Sequence, residues 1–377
     1  MACSNEKYMR KALRLARRGV GSVEPNPAVG CVIVKNDRII GEGWHRKYGG
    51  PHAEINALED CQSKGSNPRG ATLYVTLEPC CHQGKTPACT DAIIKAGISE
   101  VVVAMVDPSK HADGRGIEIL RDSGIEVRTG VCGREAKELN APFIKFAVTG
   151  STWVIVKWAQ SIDGKLAYTE DIDERWISGE QSRRDAHKLR RRVQGILVGI
   201  GTVLTDAPLL TPRPSRGRKP LRIVLDSNLR IPVDCRLLST TGKGPVWVVT
   251  TKRAMREKAE VVQKIIEKEA EVVGVAEKNG RCDLKGVLAK LSEFGMQQLL
   301  VEGGPRVIRA FIEEGLIDEF CIYIAPLILG KAGGADMLIS GGGLFDGSDL
   351  KNVNIRRFGD DVRITGLSVA GATRIEL

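Results

Sequence analysis

Aromatic residues make up only 5% of this 377-residue chain, and none is interleaved with its basic runs. A surface that stacks successive nucleobases needs such interleaving. So although the formal net charge is +10 and the pI is near 9.1, no nucleic-acid partner is expected. The basic residues gather at 183–184, 188–192 and 213–219, which suits the phosphate of a small molecule. Also missing is any apolar run long enough to span a bilayer. Residues 1–11 lack the apolar stretch and cleavage site of a secretory signal. A cytoplasmic protein with no membrane partner is expected. The ten cysteines are scattered through a long, intracellular-looking sequence, which excludes a disulfide framework. Only Cys80 and Cys89 stand in a chemical context.

That context begins at His52-Ala53-Glu54 and continues at Glu78-Pro79-Cys80 and Cys89. His52, Cys80 and Cys89 are soft zinc ligands, and a structural zinc would have all four positions filled by Cys and His. Three ligands leave one position for water, whose pKa zinc lowers to about 7. Glu54 is not needed as a ligand and is placed to move protons. His-x-Glu followed by Pro-Cys is the mark of zinc deaminases, in which the Glu protonates a ring nitrogen and then the leaving amine. The short Cys-x-x-Cys of that class is missing, since eight residues separate Cys80 from Cys89. The intervening loop carries His82 and Lys85, polar groups suited to reading a substrate. Cys81, beside a ligand, and His82 remain alternative metal ligands.

The length exceeds what one core serves, so two units are expected, 1–148 and 149–377. In the first, helices are predicted at 6–18, 51–60, 89–96 and 114–122. Strands are predicted at 30–34, 39–43, 73–77, 101–106 and 125–128, giving a mixed or parallel sheet with helices on both faces. The segment 140–147 reads as a connection between the units, with Gly150 as a turn. In the second unit, strands are predicted at 153–159, 195–199, 221–225, 246–250, 298–301, 319–324 and 361–367. Helices are predicted at 181–192, 254–269, 283–294 and 305–314, again α/β. Val301-Glu302-Gly303-Gly304-Pro305 is open to two readings, a phosphate-binding strand-to-helix turn and a plain one. Gly199-Ile200-Gly201 lacks the third glycine of the dinucleotide fingerprint, and Gly341-Gly342-Gly343 reads as a loop.

Asn26-Pro27-x-Val29-Gly30-Cys31, Gly43-Trp44-His45, His52-Ala53-Glu54 and the run from Glu78 through His82, Gly84, Lys85 and Pro87 to Cys89 resemble the deaminase half of the bifunctional riboflavin-biosynthesis deaminase-reductases. Lys157-x-Ala159-x-Ser161-x-Asp163-Gly164, Trp176-Ile177-Ser178, Gly201 to Arg213 and Val301-Glu302-Gly303-Gly304 are similar to the reductase half. The resemblance implies a cytidine-deaminase-like first unit and a second unit folded like dihydrofolate reductase. It implies that zinc serves hydrolytic deamination of a diaminopyrimidinone ribosyl phosphate, and that NADPH then reduces the ribosyl group to ribityl.

Carried across, Asn26, His45, His82 and Lys85 are deaminase substrate contacts, and Glu54 is the proton shuttle beside His52, Cys80 and Cys89. Ala159, Trp176, Thr202, Asp206, Ser227 and the segment from Gly304 would contact NADPH. Lys157, Arg190, Leu210, Arg213 and Glu302 would contact the reductase substrate. Two positions depart from the family pattern, Glu174 where Ser is usual and Ala207 where Asp or Asn usually follows Asp206. The partner expected is a phosphorylated pyrimidine, and a homo-oligomer is expected. A nucleic-acid base deaminase would share the zinc signature but carry Cys-x-x-Cys and a strand-binding surface. A non-catalytic zinc protein with a nucleotide-sensing second unit would close the metal with a fourth protein ligand.

Overall fold

Successive residues of one short strand, Cys31, Val32, Ile33 and Val34, are all buried but belong to two different cores. The computed structural model in which this is seen describes residues 2–81, 88–109, 112–169, 176–215, 217–334 and 349–376. The chain forms two compact units, one of Met1–Gly150 with Arg374–Leu377 and one of Ser151–Thr373. The first unit runs α1 (Ala2–Ala16), β1 (Gly30–Lys35), β2 (Arg38–Trp44), α2 (Ala53–Ser63), β3 (Thr72–Val75), α3 (Cys89–Lys95), β4 (Glu100–Val103), α4 (Arg115–Asp122), β5 (Glu126–Thr129), α5 (Gly133–Leu139) and α6 (Ala141–Thr149). Its sheet has the order β2-β1-β3-β4-β5. β1 is antiparallel to β2 and β3, and β3, β4 and β5 are parallel.

Period-two alternation sorts the strand residues to the two faces. Cys31, Ile33, Leu73, Val101 and Val103 pack with Ala57 and Cys61 of α2, Ile93 of α3 and Leu120 of α4. Val32, Val34, Tyr74 and Val102 pack with Met9 and Leu13 of α1, Ala136 of α5 and Ile144 of α6. The β1–β2 hairpin turns on Asn36 and Asp37, both left-handed at φ +49° and +58°, a conformation Asn and Asp tolerate best among residues with side chains. Helix α2 lies against β2 backbone to backbone. A Cβ on Gly43 would stand 2.3 Å from the Ala53 carbonyl oxygen, and one on Gly41 2.4 Å from that of Ala57.

The second unit contains β6 (Trp153–Gln160), α7 (Glu180–Arg192), β7 (Gly195–Gly199), α8 (Ile200–Asp206), β8 (Leu221–Leu225), β9 (Val246–Thr251), α9 (Lys252–Glu257), α10 (Ala259–Ile266), β10 (Glu271–Val275), β11 (Glu277–Lys278), β12 (Arg281–Cys282), α11 (Leu284–Glu293), β13 (Gln298–Val301), α12 (Pro305–Glu313), β14 (Glu319–Ile324), β15 (Lys351–Phe358) and β16 (Asp361–Leu367), after which α13 (Val369–Glu376) follows. Its nine-stranded sheet has the order β10-β9-β8-β7-β13-β6-β14-β16-β15. The strands from β10 to β14 in that order are parallel, and β16 runs antiparallel to both neighbours. Parallel strands covered on both faces read as continuous apolar runs, as Trp153–Val156 and Gly195–Gly199 do. No helix among the described residues is long and apolar enough to cross a membrane.

Three expectations are corrected. The segment 140–147 is not a connection but helix α6, with Pro142 in its first turn, where a missing N–H costs nothing, and Gly150 left-handed at its end. The helix expected over 254–269 is two, α9 and α10, parted at Lys258 (φ −119°, ψ 43°). The strand expected over 73–77 ends at Val75, which frees 76–80 to form the loop that carries Cys80. Ala207 ends α8 at φ +43°. That conformation costs an ordinary residue about 1–2 kcal/mol and suits the Asn or Asp that the resemblance leads one to expect there. Glu174 and Gly341 to Gly343 lie outside the described residues.

Candidate active sites

In the first unit three pieces of chain meet. His52 is the N-cap of α2, with extended backbone at φ −72° and ψ 167°. Cys89 opens α3, and Cys80 lies in the loop after β3. His52 Nδ1 is 3.3 Å from Cys89 Sγ and 3.4 Å from Cys80 Sγ, and the three donor atoms all lie within 4.8 Å of one another. With bonds of about 2.0–2.3 Å, a tetrahedral zinc asks for donors roughly 3.5 Å apart, so the set fits that ion in chemistry and spacing. Cys81 is not in the cluster, and His82 and Lys85 lie outside the described residues.

These residues set one another's charge. The Cys80 thiol is pulled down to about 4, first by the hydrogen bond from the Cys89 thiol and then by His52 and the Cys89 amide. Cys89 is pushed up by the same hydrogen bond and by burial. The His52 ring is raised by its hydrogen bond to Cys80. Glu54, in the first turn of α2 and only 3% exposed, is raised to about 7 by burial and then by the Cys80 charge. A carboxyl so placed can hold or release a proton at neutral pH.

Polar side chains fix this geometry, among them Asn56 and Asn140, which sequence reading passed over. Asn56 donates from Nδ2 to the carbonyls of Trp44 (2.9 Å), Pro51 (3.1 Å) and His52 (3.1 Å), pinning the entry to α2. His45 is buried, and its Nδ1–H donates to the Pro51 carbonyl at 3.0 Å, which leaves Nε2 to accept from Asn26 Nδ2 at 3.2 Å. Burial keeps that ring neutral by lowering its pKa. Its ring meets His52 edge-on, centroids 5.4 Å apart. The structure therefore brings Asn26 and His45 beside the metal cluster. Asn140 clamps the neighbouring loop, accepting from the Ala28 amide at 2.8 Å and donating to its carbonyl at 3.0 Å.

Glu78, two residues before Cys80, is buried and accepts from three amides, Asp107 (3.1 Å), Gly114 (3.0 Å) and Gly116 (2.8 Å). A Cβ on Gly116 would stand 2.1 Å from the Pro79 carbonyl oxygen, so this approach needs glycine. The only signal in the sequence is a carboxylate so close to a ligand. Glu78→Gln turns an NH2 group toward amide donors and loses bonds worth about 1.5–3 kcal/mol each. We expect zinc bound per chain to fall and ammonia release to drop at least tenfold, about 1.4 kcal/mol. Full zinc content and rate in that variant would leave Glu78 without a part in holding Cys80.

In the second unit Lys157, Arg190 and Glu302 converge. Arg190 donates to both oxygens of the buried Glu302 carboxylate, at 2.9 and 2.5 Å, and Lys157 Nζ lies 3.7 Å away. Burial pulls the Glu302 pKa up, but Arg190 and Lys157 outweigh it and hold the carboxyl at about 2. Arg190 Nη1 also reaches the Thr211 carbonyl at 3.4 Å, next to Leu210, which is buried and left-handed at φ +52°. Arg213 is exposed in the same loop.

Gly304 caps α12, and its nearest neighbour in the direction of a Cβ is Thr202 Oγ1 at 3.8 Å. The space beside Gly303 is taken by Val307, so the two glycines serve different ends. Ala159 pairs with Tyr323 across β6 and β14, and Asp206 is exposed at the end of α8. Trp176 is 59% exposed, with the Arg183 guanidinium 5.0 Å from its ring. Ser227 Oγ is occupied by the Cys282 amide at 3.0 Å.

A model of the RibD C-terminal domain matches residues 152–364, and a model of the cytidine and deoxycytidylate deaminase zinc-binding region matches 3–105. The riboflavin biosynthesis protein RibD of Aquifex aeolicus is 45% identical over 329 residues, 87% of this chain and 88% of that one. RibD of Bacillus amyloliquefaciens is 40% identical over 374 residues, 97% of each chain. The crystal structure of a diaminohydroxyphosphoribosylaminopyrimidine deaminase/5-amino-6-(5-phosphoribosylamino)uracil reductase from Thermotoga maritima superposes with a TM-score of 0.84 at 36% identity, covering 97% of this chain and 99% of that one.

Proposed function

Because the chain belongs to the RibD family of bifunctional riboflavin-biosynthesis deaminase-reductases, we propose specific tasks for its two sets of residues. The first unit binds a diaminopyrimidinone ribosyl phosphate and hydrolyses its 2-amino group, releasing ammonia. The second reduces the ribosyl group of the product to ribityl. The observation that carries this reading is the His52, Cys80 and Cys89 donor set with the buried Glu54 carboxyl beside it.

Zinc held by those three residues supplies a Lewis acid that activates water at neutral pH. Glu54 takes a proton from the attacking water and gives it to the ring nitrogen next to the reacting carbon, then takes the second proton from the hydroxyl now on that carbon and gives it to the departing amine. Asn26 and the neutral His45 orient the pyrimidine, with His82 and Lys85 contributing from the loop between the cysteines. In the second unit NADPH supplies the hydride. Ala159, Trp176, Thr202, Asp206, Ser227 and the segment from Gly304 hold the cofactor. Lys157, Arg190, Leu210, Arg213 and Glu302 hold the sugar phosphate against it, so orientation is the main contribution of the protein. We place the enzyme in the cytoplasm, where its thiol ligands stay reduced.

Incubating the zinc-loaded chain with the diaminopyrimidinone ribosyl phosphate, with and without NADPH, tests both halves. Ammonia is expected under both conditions, and loss of NADPH absorbance is expected after deamination. No ammonia from zinc-loaded protein would refute the first assignment. Supplying the deaminated pyrimidine directly and finding NADPH untouched would refute the second.

A further inference from the structure

Helix α7 turns a second polar side chain toward the Glu302 cluster. His187 precedes Arg190 by three positions, which puts the two on one helix face. The ring is half-buried, and its Nδ1 is buried without a hydrogen-bond partner. Four charged groups act on it from four elements: Lys157 on β6, Arg190 on α7 itself, Arg213 in the loop after α8, and Glu302 directly after β13. These four are the charged residues assigned above to the reductase substrate. Arg190 and Lys157 are engaged with Glu302, whereas His187 Nδ1 is buried without a hydrogen-bond partner. Burial first, and then Arg190, lower its pKa to about 4, so the ring is neutral at neutral pH.

A neutral imidazole carries one N–H and one lone pair. Either ring nitrogen can therefore serve a hydroxyl, which both donates and accepts. The ring is a poor match for a phosphate, which the guanidiniums of Arg190 and Arg213 serve better. We propose that His187 is a further substrate-contacting residue of the reductase, a neutral hydrogen-bonding group for a hydroxyl of the ribosyl chain. The proposal rests on the reductase reading above, and it gives the ring no part in proton transfer.

The test uses the full chain, the deaminated pyrimidine and NADPH, with KM measured separately for each. His187→Leu keeps the volume and removes both hydrogen-bonding atoms. It is expected to raise KM for the pyrimidine about five- to tenfold, the effect of one hydrogen bond, with KM for NADPH unmoved. His187→Gln, whose amide also donates and accepts, is expected to recover most of that loss. An unchanged pyrimidine KM in the Leu variant would overturn the proposal. So would a parallel rise in both KM values together with a lowered unfolding temperature, the mark of a merely structural role. A Gln variant as impaired as Leu would point to proton transfer and overturn it as well. If the unaltered chain fails to oxidise NADPH with this pyrimidine, it is the reductase reading that falls.

Discussion

Glu54→Gln is expected to lower ammonia release by about 10² to 10⁴, the range for losing a positioned proton carrier, with zinc still bound and NADPH oxidation by the second unit intact. The substitution is isosteric, and Glu54 is not one of the three residues whose donor atoms cluster, so the ligands keep their places. What is lost is a group able to accept a proton and return it. The carboxyl is nearly sealed from solvent, and burial with the nearby Cys80 charge brings it to about 7, where neither form is strongly preferred. An amide there cannot cycle. Zinc analysis, an ammonia assay and NADPH oxidation on the supplied product separate the three outcomes. Ammonia release at the unaltered rate would remove Glu54 from the chemistry, and loss of zinc would make it a structural residue.

Arg190→Met is expected to be the most damaging single change in the second unit. It leaves the Glu302 carboxylate, whose side chain is 5% exposed, with Lys157 at 3.7 Å as its remaining cation. Breaking a buried pair by removing one partner costs about 3–5 kcal/mol, because the survivor keeps its desolvation penalty. The double variant Arg190→Met with Glu302→Leu is expected to regain much of that stability while NADPH oxidation stays lost. The pair also sets a pH dependence. Glu302 sits at about 2 in the folded chain, below the roughly 4.3 of an unfolded Glu. Its contribution is therefore complete above the unfolded value and drains away as pH falls from there toward 2. Thermal unfolding followed between neutral and acid pH checks this, since the double variant should lose that slope. An Arg190→Met chain as stable as the unaltered one would mean that Glu302 is not held by this bond.

The metal ligands were legible in the sequence because coordination accepts few residue types, so His52, Cys80 and Cys89 could be named without knowing how the chain brings them together. The central strands were legible for a similar reason. A strand buried on both faces, such as Gly195–Gly199, must be apolar throughout. Other elements left no such mark. β15 is exposed along Lys351–Arg357 and is a strand only by its pairing with β16. The break at Lys258 has neither proline nor glycine to announce it. Residues 140–147 read as a connection, yet Pro142 there occupies the one part of a helix that tolerates it. The supports of the site were hidden for a different reason. The three amides on Glu78 come from 107–116, and no local spacing shows that they arrive there. His187 could have been found, since its three-residue offset from Arg190 on a helix was already visible.

The Ala28–Asn140 pair has a bearing on how the pyrimidine pocket comes into being. Its two hydrogen bonds join residues 112 positions apart. During synthesis the stretch holding Asn26 therefore waits for almost the whole first unit to leave the ribosome before its anchor exists. The metal site needs less of the chain, since Cys89 and the amides at 107–116 that hold Glu78 beside Cys80 are all made before Asn140. The parts that hold the metal are thus synthesised before the anchor of the pyrimidine pocket.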